Sequence, residues 1–238
     1  MRRFYAIGDV HGLGRRLELL HAKIIQHIQA VDGEAVVVHL GDYVDRGPES
    51  KRVIQACLDF KKKSEELGFE TVFLKGNHED MFLTAHDGSD FSSGTQMFMY
   101  NGGTETLMSY TGTDDFIDWR KSIPPEHLEF FRNLRTDYWA DEEKLYFVHA
   151  GIDPITFPEC SEHVKLWTRE HRRADYEVWN ANEALKGVMV IHGHTPNRMF
   201  QVEHDQGRRL NLDTGACFGG KLTCGIIVPG QPPTYLET

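Results

Sequence analysis

Five short apolar runs in this 238-residue chain each end in a polar turn, and that pattern restricts the fold more than any other feature. Phe4-Tyr5-Ala6-Ile7 runs into Gly8-Asp9-Val10-His11-Gly12. Ala35-Val36-Val37-Val38-His39-Leu40 runs into Gly41-Asp42-Tyr43-Val44-Asp45-Arg46-Gly47. Thr71-Val72-Phe73-Leu74 is followed by Gly76-Asn77-His78-Glu79. Leu145-Tyr146-Phe147-Val148 ends in His149-Ala150-Gly151, and Val188-Met189-Val190-Ile191 ends in His192-Gly193-His194-Thr195. Apolar runs without polar alternation read as strands covered on both faces. Between the first three, Leu17, Leu20, Ile24, Ile25 and Ile28, and then Val53, Ile54, Cys57, Leu58 and Phe60, recur at helical spacing. Strands separated by helices give βαβ units and an α/β class. In such sheets ligands bind where the strands end at their carboxyl side.

The residues delivered there are Asp9, His11, Asp42, Asn77, His149 and His194. Each fragment alone is an ordinary turn or helix cap; together they form one donor set. Carboxylate, imidazole and amide suit Mn²⁺, Fe or Zn²⁺, and thiolate is absent. Six such groups exceed one tetrahedral ion and fit two ions ~3.5–4 Å apart sharing a carboxylate. Asp42, from the central motif, is the natural bridge. Lone histidines such as His21, His27, His127, His163 and His204 read as surface or packing residues.

Lys plus Arg is 26 and Asp plus Glu is 36, so 26 − 36 gives a net charge of −10. That disfavours nucleic-acid binding, which needs a cationic surface. Cys57, Cys160, Cys217 and Cys224 form no Cys-x-x-Cys pair. No run approaches the ~20 residues of a membrane span, and the amino-terminal segment lacks a signal-peptide pattern, so a cytoplasmic location is expected. The stretch from Asp87 to Asp141 breaks the strand–helix rhythm. It reads as a mostly helical insertion within one domain covering residues 1–238, with Phe98, Tyr100, Asn101-Gly102-Gly103 and Trp119 either shaping a substrate groove or only burying apolar surface. The tail from Met199 to Val228 reads as short strands around Asp205-Gln206-Gly207.

The first three blocks, with His149-Ala150-Gly151 and Gly193-His194-Thr195, resemble the signature blocks of the phosphoprotein phosphatases, within the calcineurin-like metallophosphoesterases. The likeness runs from about residue 4 to 225 and looks strongest to the short bacterial and bacteriophage lambda-type serine/threonine protein phosphatases. It implies a central β-sandwich of mixed sheets flanked by helices. It assigns Asp9, His11 and Asp42 to a first metal, and Asp42, Asn77, His149 and His194 to a second; His192 falls outside the matched position. Manganese is the expected pair, with iron or zinc as alternatives.

Such a pair can hold a bridging hydroxide that attacks the phosphate directly, with no phosphoenzyme. His78, beside Asn77 but outside the donor set, is expected to be general acid, oriented by Asp45. Arg46 suits the phosphate oxygens, since guanidinium matches them bidentately. Arg169, in Leu166-Trp167-Thr168-Arg169-Glu170, resembles the family's second phosphate-holding arginine, with Arg172 and Arg173 as competitors. Glu79 is expected to orient Arg46 or a backbone group. The first substrate expectation is phosphoserine and phosphothreonine in proteins. The alternative is symmetrical dinucleoside polyphosphate hydrolysis, whose tail resembles Asp213-Thr214-Gly215-Ala216-Cys217-Phe218-Gly219-Gly220. A scaffold without turnover is disfavoured by the complete set. Cys217-Phe218-Gly219-Gly220 departs from eukaryotic members, which carry a tyrosine there.

Overall fold

The computed structural model describes residues 2–89, 92–114, 117–170, 176–205 and 207–238. Arg172, Arg173 and the turn residue Gln206 lie outside them. Strands β1 (Arg3–Ile7), β2 (Ala35–His39) and β3 (Glu70–Phe73) alternate with helices α1 (Gly14–Ala30) and α2 (Ser50–Leu67). The three strands are parallel, as short βαβ crossovers require. Two later strands, β9 (Thr223–Ile227) and β10 (Thr234–Glu237), complete a five-stranded sheet in the order β10-β9-β1-β2-β3, with β9 antiparallel to β1.

A second five-stranded sheet contains β4 (Asp137–Ala140), β5 (Leu145–Val148), β6 (Met189–His192), β7 (Glu203–Asp205) and β8 (Arg209–Asn211), in the order β4-β5-β6-β8-β7. Its inner strands are parallel and its two edge strands antiparallel. The last residues assigned by sequence to the insertion therefore belong to this sheet. Tyr138 and Ala140 turn inward while Trp139 packs on the other face, so no glycine or proline announced the strand.

Both faces of both sheets are covered, which explains the unbroken apolar runs. Phe4, Ala6, Val36 and Val38 meet Leu145, Phe147, Ile191 and Leu210 in the layer between the sheets, with the Phe4 and Phe147 rings 5.6 Å apart. Tyr5, Ile7 and Val37, one residue out of phase, face Leu17, Leu20, Ile24, Val53 and Ile54 of α1 and α2. Tyr146, Val148 and Val190 pack outward against Phe157, Trp179 and Leu185.

Beyond β3, helix α3 (Asn77–Asp87) leads to α4 (Ser93–Phe98), a π-helical turn (Met99–Gly103), α5 (Thr104–Thr111), a 3₁₀ turn (Trp119–Ser122) and α6 (Pro125–Arg132). Phe82, Phe98, Trp119 and Phe131 hold these pieces to the body in one aromatic cluster. Phe98 and Trp119 are thus core residues, whereas Tyr100 is exposed. Helices α7 (Glu162–Trp167) and α8 (Tyr176–Ala181) flank the second sheet. Among the described residues no helix is long and apolar enough to cross a membrane.

Candidate active site

The carboxyl ends of β1, β2, β3, β5 and β6 converge, and the six predicted donors are all buried there. Asp42 lies at the centre. Its Oδ2 faces His11 Nε2 at 3.4 Å, and its Oδ1 faces His149 Nε2 at 3.3 Å. One carboxylate thus addresses two imidazoles on opposite sides. Asn77 Oδ1 lies 3.0 Å from His149 Nε2 and 2.9 Å from His194 Nδ1. His11 Nδ1–H donates to the Val44 carbonyl and His149 Nδ1–H to the Leu40 carbonyl, at 3.0 and 2.8 Å. Those bonds fix the tautomers and leave each Nε2 lone pair facing inward.

Two donor groups emerge among the described residues: Asp42, His149 and His194, and His11, Asp42 and His78. The first holds three of the four residues expected of the second metal, the fourth being Asn77. The other contains His78 where sequence reasoning put Asp9. Asp9 is turned to the His194 backbone N–H, which lies 3.1 and 3.0 Å from its two oxygens.

The electrostatics suit cations. Burial, then the neighbouring Asp213 and Asp42 charges, pushes the Asp9 carboxyl well above its usual range. Burial holds His11 and His149 below the ordinary histidine value. Burial and the adjacent His149 take His194 down to about 2. Neutral imidazoles, buried carboxylates and an amide oxygen are what a divalent ion of intermediate softness requires, and a crowd of buried acidic groups calls for positive charge. The residues present fit a metal pair.

Beside this set, His78 Nδ1–H donates to Asp45 Oδ2 at 2.6 Å. The Arg46 guanidinium nitrogens lie 3.0 Å from His78 Nε2 and 2.7 Å from His11 Nε2, so the group spans both imidazoles. Arg169, exposed, points its Nε at His194 Nε2 from 3.4 Å. Every predicted site residue therefore borders one centre.

Strain is concentrated here. Of eight described non-glycine residues with positive φ, five are His11, Asp42, Asp45, Arg46 and His194. Side chains rarely adopt that conformation, and it persists only where the surroundings over-determine it. Glu79 supplies much of that determination. It accepts N–H bonds from Gly76, Asp42 and Tyr43 at 2.9, 2.9 and 2.8 Å, and from Val44 at 3.3 Å. Burial and the Asp42 charge push its carboxyl up to about 8, against the pull of those N–H groups. Of the two roles expected for Glu79, the backbone one is observed. Gly76 has no room for a side chain, since a Cβ would meet Asp42 Oδ1 and the Asp42 backbone.

Two neighbours, Thr106 and Ser50, escaped sequence reasoning. Thr106 and Ser50 bond to Asp45, and the Gly102 carbonyl accepts the Arg46 N–H at 3.1 Å. Phe218, read from the sequence only as part of the tail block, has its ring 5.4 Å from the Arg46 guanidinium carbon and stacks on Phe200, centroids 6.3 Å apart and 16° from parallel. Phe218 is 54% exposed and Phe200 37%, and Phe200 itself has φ 51°.

The family model of calcineurin-like phosphoesterases matches residues 2–220. A bis(5'-nucleosyl)-tetraphosphatase PrpE [asymmetrical] of Anoxybacillus flavithermus is 24% identical over 97% of this chain and 96% of that one. Serine/threonine-protein phosphatase 1 of Salmonella typhimurium is 26% identical over 95% of this chain and 92% of its own. The solved structure of a cold-active protein-tyrosine phosphatase of a Shewanella species superimposes with a TM-score of 0.59 at 16% identity, covering 99% of this chain and 80% of that one.

Proposed function

The chain belongs to the calcineurin-like phosphoesterase family, and from that premise we propose a metal-dependent phosphomonoester hydrolase whose first substrates are phosphoserine and phosphothreonine in proteins. The observation that carries this reading is Asp42, one oxygen toward His11 and the other toward His149. Asp9, His11, Asp42, Asn77, His149 and His194 would hold two divalent ions, manganese by preference. Bound there, such ions activate water at neutral pH and neutralise phosphoryl charge.

The protein's own groups supply the rest. His78 gives a proton from Nε2 to the leaving oxygen while Asp45 holds its Nδ1–H. Arg46, spanning the mouth of the donor cluster, turns its paired N–H groups to the phosphoryl oxygens, and Arg169 assists from the opposite rim. Four cysteines without disulfides suit a reducing cytoplasm.

A second reading, dinucleoside polyphosphate cleavage, is favoured by the Phe218–Phe200 pair beside Arg46. A flat, half-exposed aromatic ledge next to a phosphate-binding arginine suits a nucleobase. The discriminating assay compares kcat/KM of manganese-reconstituted enzyme on phosphoserine, phosphothreonine and phosphotyrosine peptides and on diadenosine tetraphosphate. The first reading expects the highest value on a phosphoserine or phosphothreonine peptide; a higher value on the dinucleotide replaces it. In that event two ADP report symmetrical cleavage, and ATP plus AMP asymmetrical cleavage.

A further inference from the structure

The Asp45 carboxylate has two oxygens, and each has a different partner. Oδ2 accepts from His78. Oδ1 accepts the Thr106 hydroxyl at 2.6 Å, and the same hydroxyl oxygen accepts the Asp45 backbone N–H at 2.8 Å. The hydroxyl's one proton being spent on Oδ1, the 3.0 Å contact to Ser50 has Ser50 Oγ–H as donor. Thr106 is fully buried, on α5. Four residues earlier, the Gly102 carbonyl holds the Arg46 N–H. A Cβ on Gly102, whose φ is 100°, would press on the Arg46 backbone. Asp45 and Arg46 have φ of 72° and 68°, so two consecutive strained residues are braced from one short segment.

We propose that Thr106 is a positioning residue of the reaction: it fixes the rotation of the Asp45 carboxylate, and through it the aim of His78 at the leaving group. The region from 87 to 141, which we read as an insertion in a single domain, then has a part in the chemistry beyond covering apolar surface. The proposal rests on the general-acid reading of His78.

A carboxylate left free to rotate weakens its hold on the imidazole, and only esters that need a proton suffer. Thr106→Val keeps the volume and removes the hydroxyl. The test measures kcat and KM of the metal-loaded enzyme on 4-nitrophenyl phosphate, phenyl phosphate and a simple alkyl phosphate, with melting temperature and metal content alongside. For Thr106→Val the expected loss in kcat is roughly tenfold or more on the alkyl ester and under about twofold on the nitrophenyl ester, with KM unmoved. Thr106→Ser restores both rates. Should the valine variant not fold, Thr106→Cys, with its weaker donor, is read the same way. Equal slowing of all esters, or none, overturns the proposal. His78→Asn run in parallel separates the two ideas. If it discriminates between esters and Thr106→Val does not, only the role of Thr106 falls. If His78→Asn does not discriminate, the general-acid reading falls and this proposal with it.

Discussion

His78 sits between two carboxylates and a guanidinium, and their balance decides which proton it can give. Burial, the largest influence, pulls its pKa down; Asp42 and the Asp45 hydrogen bond outweigh it, and the net direction is upward. The imidazolium therefore survives above the ordinary histidine range of about 6.5, and the acid form is lost as pH rises through the raised value. Turnover of an alkyl phosphate is expected to fall on that alkaline limb, and His78→Asn to abolish the limb while slowing turnover by roughly 10²–10⁴. A pH–rate profile of the two proteins checks this, and an unchanged limb in the variant removes His78 from the role. Asp42→Ala makes a separate claim: elemental analysis is expected to find neither ion retained, because one carboxylate serves both donor groups. Retention of both would sink the proposed bridge. These residues were legible because each follows directly on a buried run. Thr106 was not, being an unremarked helix residue whose partner stands 61 positions away in the chain.

The turns after β2 and β3 behave as one piece because Glu79 joins them. Replacing it by glutamine turns an amide N–H₂ toward backbone N–H groups and strands some of them. We expect Glu79→Gln to cost about 1–3 kcal/mol, read as a lower urea midpoint, and to weaken metal retention as Asp42 loses its fixed φ. Wild-type stability in that variant would show that the turns hold themselves. The Gly-Asn-His-Glu block announced this corner, and the sequence reading left Glu79 two roles; only the fold shows that its acceptors meet N–H groups from Asp42, Tyr43 and Val44, some 35 positions away. Strand β4 shows the converse limit. Tyr138, Trp139 and Ala140 carry its apolar surface to both faces, and without punctuation they merge with the helical stretch before them. The βαβ units, by contrast, were legible in the sequence, since short unbroken apolar runs alternate with stretches of 3.6-residue period over the first 74 residues.

The proposed ligands come from both sheets: Asp42 and Asn77 follow strands of one, His149 and His194 follow strands of the other. Cations held between them join the two halves of the sandwich. Chelation is expected to lower the melting temperature, since an ion at 100 times its dissociation constant stabilises by about 2.7 kcal/mol, and Asp42→Ala is expected to be indifferent to chelator. Acid should weaken the fold by a separate route. His21 and His39 are buried, share a 2.9 Å Nε2–Nε2 hydrogen bond, and are held neutral by burial, His39 down to about 3. Their contribution is complete above the unfolded histidine value and is lost as pH falls from about 6.5 toward 3, by about 1.4 kcal/mol per unit for each group at most. In metal-free protein, a His21→Leu, His39→Leu double variant is expected to show a flatter dependence of urea midpoint on pH across that window; an identical slope would remove the pair from the account. The position of β1 bears on how the chain is made. It lies between β2, translated soon after it, and β9, Thr223–Ile227, translated almost last of the described strands. At ~5–20 residues per second, the ribosome leaves one side of that strand without its hydrogen-bonding neighbour for many seconds, so the yield of functional enzyme in a cell depends on what shields the nascent polypeptide meanwhile.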